Sequence, residues 1–168
     1  MAYLLDTNTL IQAKNEYYAF DLCPGFWDWL DLAFERGHVY SIEPVLKELR
    51  DGDDALTDWA NARPEGFFLP VDAAASARIA DVVRWVQAAD FKDAAKRDFL
   101  AKADPILIAC AWAHGHVLAT HEVHIPGEKK KVKIPTVCMQ LGVESVRTFD
   151  MLRRQSASFT LPLGSELL

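Results

Sequence analysis

Four carboxylates occupy positions in this sequence from which they could act together. Asp6 and Glu122 each follow a short apolar run that predicts a strand, Asp104 begins a predicted helix, and Glu48 lies on another helix. Carboxylates held close together repel one another and raise one another's pKa, so such a cluster is stable at neutral pH when cations neutralise it. Because hard oxygen ligands select Mg²⁺ or Mn²⁺, the four side chains predict a site for one of these ions.

The elements that must position these carboxylates alternate along the chain. Apolar runs predict strands at 3–5, 38–41, 67–69, 116–120 and 143–146. Periodicity, caps and stop signals predict helices after Asp6 and at 24–36, 42–50, 54–62, 72–89, 93–101, 104–114 and 148–154. This alternation predicts an α/β fold, a three-layer α/β/α sandwich around a mostly parallel sheet of about four to five strands. Ligands bind beyond the carboxyl ends of the strands in such sheets.

Length and charge limit the domain organisation and the binding partners. The 168 residues predict a single domain over 1–154 followed by a loose C-terminal tail over 155–168. A net charge of −6 argues against broad nonspecific adhesion to nucleic acid. Residues 129–154 nevertheless hold seven of the 18 Lys and Arg side chains and only two of the 24 Asp and Glu side chains. The positive charge is therefore concentrated late in the chain.

The sequence also predicts the compartment. Its longest apolar stretches, such as 105–113, are shorter than the roughly 20 residues that cross a bilayer. The first residues lack the basic segment and long apolar run of a signal peptide, so we expect a cytoplasmic protein with no membrane partner. Cys23, Cys110 and Cys138 are odd in number and scattered, which predicts reduced thiols rather than a disulfide framework.

Four short motifs, in order, resemble those of the PIN-domain family over nearly the whole chain. The family's first strand ends in D-x-N, here Asp6-Thr7-Asn8, and a later helix carries E-L, here Glu48-Leu49. A D-x-x-I-A-x-A-like helix start follows at 104–111, and the next strand ends in T-x-E at Thr120-His121-Glu122. The resemblance implies a metal-dependent nuclease that cuts RNA, often the toxin of a toxin and antitoxin pair of the VapBC kind.

The resemblance also implies individual roles. Asp6 and Asp104 would be the central ligands of Mg²⁺ or Mn²⁺, and Glu48 and Glu122 would flank them, directly or through water. Asn8 and Thr120 would orient these ligands by hydrogen bonds. Partners would be the RNA substrate, an antitoxin protein and, as is common in the family, a second copy in a homodimer.

Two features depart from the commonest PIN toxins. The last acid is Glu122 rather than Asp, and an insertion over 126–135 follows it. The insertion resembles that of a less characterised bacterial PIN-like branch. It carries the basic run Lys129, Lys130, Lys131 and Lys133. This run is either an RNA-binding segment that supplies phosphate contacts or a plain solvated loop.

Other interpretations of the same residues stay open at this point. Asp6 and Asp104 are also ordinary cap residues at helix starts. A haloacid-dehalogenase-like phosphatase also begins with a strand ending in Asp, but it needs a second Asp where Asn8 stands. A noncatalytic PIN-fold binding module would be expected to have lost the acids, yet all four are present. Zinc is a weaker alternative for four nearby histidines, His114, His116, His121 and His124.

The helix that carries Glu48 contains a second acid, Glu43. Five residues apart on a helix, the two side chains point about 140° away from each other, so both can hardly reach one site. The family's E-L position favours Glu48, whereas Glu43 lies in the first turn, where the helix dipole favours a carboxylate in any case. We therefore predict that Glu48, and not Glu43, faces the acidic cluster.

Overall fold

The computed structural model describes residues 1–160, which form one five-stranded sheet and its surrounding helices. The strands are β1 (Tyr3–Leu5), β2 (Val39–Ile42), β3 (Phe68–Leu69), β4 (Val117–Thr120) and β5 (Ser145–Arg147). They pair in the order β3-β2-β1-β4-β5, and every pairing is parallel. The predicted α/β fold is therefore confirmed, with a sheet that is parallel throughout.

The strand order predicts a binding crevice at the centre of the sheet. The chain builds outward from β1 through β2 to β3, then returns to the other side of β1 with β4 and β5. Because parallel crossovers are right-handed, this reversal sends the connecting helices to opposite faces of the sheet. Ligands of open α/β sheets bind at such a reversal, beyond the carboxyl ends of the two strands that flank it. Here those strands are β1 and β4.

Nine α-helices and one π-helical turn surround the sheet within the described residues. They are α1 (Thr7–Gln12), the π-helical turn (Ala13–Tyr17), α2 (Pro24–Glu35), α3 (Glu43–Arg50), α4 (Ala55–Asn61), α5 (Ala73–Ala88), α6 (Asp93–Leu100), α7 (Asp104–His114), α8 (Ile134–Leu141) and α9 (Thr148–Arg154). Helix α7 is apolar on nearly every side and packs along α5. It ends at Gly115, whose left-handed backbone (φ 63°) closes the helix.

Two elements of the fold have no clear signal in the local sequence. Helix α8 begins at Ile134, inside the insertion predicted over 126–135, so only the segment before it is irregular. The expectation failed because Pro135 resembles the end of a loop, whereas proline is well tolerated in the first turn of a helix. The π-helical turn has no local signature, since it is defined by a hydrogen bond from the Tyr18 amide to the Ala13 carbonyl.

The remaining structural expectations concern the tail, the cysteines and the membrane. Residues 155–160 are described, and the Phe159 ring packs against Phe26, whereas residues 161–168 of the predicted loose tail lie outside the described residues. All three cysteines are free, as predicted, and two of them, Cys110 and Cys138, are buried. None of the helices within residues 1–160 is long and apolar enough to span a bilayer.

Candidate metal centre

Asp6 lies at the carboxyl end of β1, where the strand order predicts the crevice between β1 and β4. Leu5 pairs with Ala119 across the two strands, so Asp6 and Thr120 come level at their carboxyl ends. The Asp6 carboxylate is fully buried and accepts the Thr9 amide (2.7 Å) and the Thr120 hydroxyl (2.7 Å). Asp6 is thus also the N-cap of α1. Burial raises its pKa, and the hydrogen bonds from Thr9 and Thr120 lower it in part.

Glu48 reaches the same crevice from α3. Its carboxylate accepts the Thr7 hydroxyl at the start of α1 and the Ala103 amide (2.7 Å) at the start of α7. The Glu48 side chain therefore ties α1, which Asp6 caps, to α7, which begins at Asp104. Glu43, on the same helix, is exposed to solvent. The structure thus puts Glu48 beside the other acids and Glu43 away from them.

Asp104 is the first residue of α7, and it does not cap that helix. The N-cap position belongs to Ala103, whose amide is bound by Glu48. Asp104 is only 8% exposed, and its carboxylate makes no hydrogen bond with any residue in 1–160. Burial, together with the negative charges of Asp6, Glu122 and Glu48, raises its pKa to about 7. The cap interpretation of Asp104 is therefore wrong, and this carboxylate is free for another partner.

Glu122 enters the crevice from the segment after β4. Its amide donates to the Thr120 hydroxyl (3.1 Å), and its carboxylate accepts the Ile134 amide (2.8 Å) at the start of α8. Burial raises the pKa of Glu122, and the Ile134 amide and the Lys133 charge lower it in part. One of its two carboxylate oxygens holds α8 in place, which leaves the other without a protein hydrogen bond within 1–160.

Together the four carboxylates form a negative site that nearby lysines compensate only in part. The pKa values of Asp6, Asp104 and Glu122 are raised. The negative charges of the other three carboxylates contribute to the raised pKa of Asp104. Lys102 is the cation within 1–160 that lowers the pKa of Asp104, and it is itself paired with Asp98 (3.0 Å). An all-carboxylate donor set suits a hard divalent cation such as Mg²⁺ or Mn²⁺.

The carboxylates do not yet stand in a coordinating arrangement. Within residues 1–160, no three His, Cys, Asp or Glu side chains are close enough together to hold an ion. Binding of an ion would therefore require a side-chain movement. Asp104 is the carboxylate with the fewest constraints on such a movement, because Asp6, Glu48 and Glu122 are all held by hydrogen bonds.

The two predicted orienting residues behave differently. Thr120 lies between Asp6 and Glu122, donates to the first and accepts the amide of the second. Asn8 is exposed and makes no hydrogen bond to a carboxylate within the described chain. Thr7 and Thr9, which flank it, contact Glu48 and Asp6 instead. An Asp at an N-cap accepts the backbone amide two or three positions on, and this rule would have pointed to Thr9.

The predicted basic run lies in the segment between β4 and α8. The Lys129 side chain pairs with Asp90, and the backbone carbonyl of Lys129 accepts the Lys92 amide (2.9 Å). This part of the segment is therefore anchored to the α5–α6 connection. The Lys130 and Lys131 side chains are exposed. Lys133 is half-buried beside Glu122, whose pKa its charge lowers.

The four histidines considered for zinc do not converge. His114 pairs with Asp72 (3.1 Å), and the His124 ring contacts the Thr136 hydroxyl (2.9 Å). The His121 ring instead stacks on Tyr17. His114 and His116 lie near each other, at 5.9 Å between ring centroids, but no third ligand residue joins them, so the four histidines build no common site within the described residues.

Comparisons with known proteins agree with this architecture. A family model described as a domain of unknown function (DUF4411) matches residues 3–159. A comparison with curated protein sequences finds no match. Among solved structures, a chain of VapBC2 from Rickettsia felis bound to a DNA fragment from their promoter aligns with a TM-score of 0.54 and 14% identity, over 88% of this chain and 98% of that one.

A second solved structure shares the same fold. A chain of FitAB bound to an IR36 DNA fragment aligns with a TM-score of 0.52 and 19% identity, over 86% of this chain and 94% of that one. At these identities the likeness concerns the fold, which is that of a PIN domain. The chain therefore belongs to the DUF4411 family, and its fold is PIN-domain-like.

Proposed function

We propose that this chain is a metal-dependent endoribonuclease that hydrolyses RNA phosphodiester bonds. The observation that carries the proposal is the group of four carboxylates at the reversal point of the sheet, in which Asp104 is buried, lacks a hydrogen bond within 1–160 and has a pKa of about 7. A folded protein keeps such an unfavourable charge arrangement when a cationic ligand compensates it.

The chain's own residues divide the work in this proposal. Asp6, fixed by Thr9 and Thr120, and the unconstrained Asp104 would be the central ligands. Glu48 and Glu122, each with an oxygen held by a helix amide, would act from the sides, directly or through water. Bound Mg²⁺ or Mn²⁺ would supply a water of lowered pKa and would neutralise charge on the departing oxygen.

The solved structures with the same fold support a narrower proposal about context. VapBC2 and FitAB are complexes, each bound to DNA. We propose by analogy that this chain is the cytoplasmic toxin of a type II pair, held inactive by an antitoxin protein. Expression of the chain alone should then slow growth, and Asp104→Asn should relieve the effect at the same protein level. Normal growth with soluble wild-type protein would remove the toxin role and leave the nuclease proposal standing.

One observation favours a second candidate, a noncatalytic PIN-fold binding module. Asp6 and Glu48 hold helices together by hydrogen bonds, so both acids have a structural use that does not depend on a metal. The two candidates differ in what an amide substitution does. In a binding module, Asp6→Asn would alter stability alone.

The deciding experiment is a cleavage assay on single-stranded RNA. The wild type should cut the RNA with Mg²⁺ or Mn²⁺ and stop in EDTA, and Asp6→Asn should abolish cutting because the amide keeps the shape and removes the ligand charge. Asp81→Asn, on α5 and paired with Arg84, is the matched control and should cut normally. Undiminished cleavage by Asp6→Asn, or in EDTA, would sink the proposal.

A further inference from the structure

An exposed aromatic stack borders the acidic site. The Tyr17 and His121 rings lie 5.2 Å apart between centroids, with an angle of 17° between their planes. His121 stands between Thr120 and Glu122 in the chain, so the stack lies next to the acidic site in sequence. The Phe149 ring meets the Tyr17 ring edge-on, at 5.6 Å and 81°. Tyr17 is thus held on two sides by other rings.

The Tyr17 ring is held in place and yet remains open to solvent. Tyr17 is 46% exposed, although one ring face lies against His121. It is the last residue of the π-helical turn, whose hydrogen bond joins the Tyr18 amide to the Ala13 carbonyl (2.6 Å). Such turns are rare and occur frequently at functional sites. A partly exposed aromatic ring that packs against two other rings can serve as a stacking surface.

Two opposite charges act on the His121 ring of this stack, those of Glu16 and Arg147. Arg147 ends β5 and is directly paired with Thr120 in the register of β4 and β5. It is exposed, and it forms no ion pair with a residue in 1–160. An aromatic face with a neighbouring cation is the combination that proteins use for single-stranded nucleic acid, in which the ring stacks on a base and the cation meets a phosphate.

We propose that Tyr17, supported by His121 and Phe149, is the stacking platform for an unpaired base of the RNA, with Arg147 beside it for a neighbouring phosphate. This inference rests on the proposed function and specifies its substrate as RNA that is single-stranded next to the cut. A protein contact is the competing use of the same surface. RNA is favoured because the platform adjoins Glu122 and because Arg147 supplies positive charge.

The test is binding to an oligouridine that contains one 2-aminopurine, whose fluorescence is quenched when it stacks on an aromatic ring. Binding is measured with Asp104→Asn protein, so that no cleavage is required. Tyr17→Leu keeps an apolar side chain of similar reach but removes the ring, and Tyr17→Phe keeps the ring. Trp112→Leu is the control, since Trp112 lines a cavity with Met1 and Val117 at the amino ends of β1 and β4, whereas the acids lie at the carboxyl ends.

Tyr17→Leu should weaken binding by about tenfold and abolish the quenching, which is the effect of removing one stacked base. Tyr17→Phe and Trp112→Leu should bind and quench like the parent protein. Equal binding and quenching by Tyr17→Leu would overturn the platform, as would no binding of the oligonucleotide by the parent. If Tyr17→Leu no longer bound a protein inhibitor but still bound RNA normally, the surface would belong to that protein contact. This result would also overturn the proposal.

These outcomes are distinguishable from a failure of the proposed nuclease. A wild type that cuts RNA with Mg²⁺, combined with normal binding by Tyr17→Leu, rejects the platform alone. Ring-dependent binding by a chain that cuts no RNA under any metal condition rejects the nuclease and retains the platform.

Discussion

The carboxylates in the crevice and those on the surface of this protein are stabilised in opposite ways. On the surface, Asp54 accepts the Lys14 ammonium and two helix amides, and Asp90 accepts the Lys129 ammonium, and these partners lower the pKa of both acids. In the crevice, burial raises the pKa of Asp6 and Glu122, and the pKa of Asp104 rises to about 7. The surface acids form ion pairs with lysines, whereas the charges of Lys102 and Lys133 only partly offset the raised pKa of Asp104 and Glu122.

This difference separates structural acids from acids kept for a ligand. A surface carboxylate with an ion-pair partner changes the free energy of unfolding only slightly. A buried carboxylate that is repelled by its neighbours disfavours the folded state, so its substitution should stabilise the protein. Asp104 is the clearest case, because it has no hydrogen bond within 1–160 to offset its burial. We therefore expect activity and stability to respond in opposite directions to changes at this residue.

The largest expected effect is on cleavage. Asp104→Asn should lower the rate of RNA cleavage in Mg²⁺ by about a hundredfold or more, roughly 2.7 kcal/mol in the barrier, because it removes the charge of a central ligand. Asp90→Asn removes a surface charge and should leave the rate unchanged. A fully active Asp104→Asn protein would contradict the claim that the crevice acids, unlike the surface acids, are kept for a ligand.

The same substitution should raise stability in the absence of metal. Because the folded-state pKa of Asp104 is raised, the folded protein binds this proton more tightly than the unfolded chain, and its contribution to stability is lost as pH rises from about 4 to about 7. Asp104→Asn avoids this loss. At pH 8 in EDTA it should be more stable than wild type by roughly 2 to 4 kcal/mol, and the difference should vanish below about pH 4.

Urea unfolding at several pH values measures this difference. Asp90→Asn is the control and should show the opposite sign, because the pKa of Asp90 is lowered by Lys129 in the folded state. This substitution should slightly destabilise the protein at pH 8. Equal stability of wild type and Asp104→Asn at every pH would mean that the buried charge is compensated within the protein.

A smaller effect should separate the two acids of α3. Glu48→Gln should slow cleavage about tenfold, roughly 1.4 kcal/mol, whereas Glu43→Gln should stay within about twofold because Glu43 is exposed. Glu48 also binds the Ala103 amide, so the stability of both variants must be measured alongside the rate. A rate that depends on Glu43 and not on Glu48 would contradict the placement of this helix in the site.

The smallest effect concerns the basic segment. Lys130→Ala with Lys131→Ala should flatten the salt dependence of RNA binding by about 0.7 in slope for each phosphate that is no longer neutralised. The control pair is Arg36→Ala with Arg84→Ala, which removes the same charge from other exposed positions. Equal slopes for the two pairs would mean that the basic segment is a plain solvated loop.

Local sequence predicted much of the fold because its strands are short apolar runs with clear breaks. The runs that became β1 and β4 also determined where Asp6 and Glu122 stand, since a residue that follows a strand lies at the sheet edge. Helix α8 was missed because its first turn, Ile134 and Pro135, resembles a loop end. Local patterns carried no sign that this helix is held by Glu122.

The parts of the site that were missed depend on tertiary structure. Glu48 meets the Ala103 amide 55 positions away, and the Tyr17 ring meets His121 from a different element. Neither interaction has a local pattern. Asn8 was assigned from a motif, but the direction of α1 turns it to solvent and turns Thr9 inward. The predicted role of the acids in metal binding stays a prediction.

Divalent-cation binding by the crevice acids is tested most directly by a calorimetric titration of the protein with Mn²⁺ at pH 8. We predict that wild type binds Mn²⁺, that Asp104→Asn loses most of this binding, and that Asp90→Asn retains it. No binding by the folded wild type, or equal binding by wild type and Asp104→Asn, would contradict the claim that the crevice acids are kept for a divalent cation.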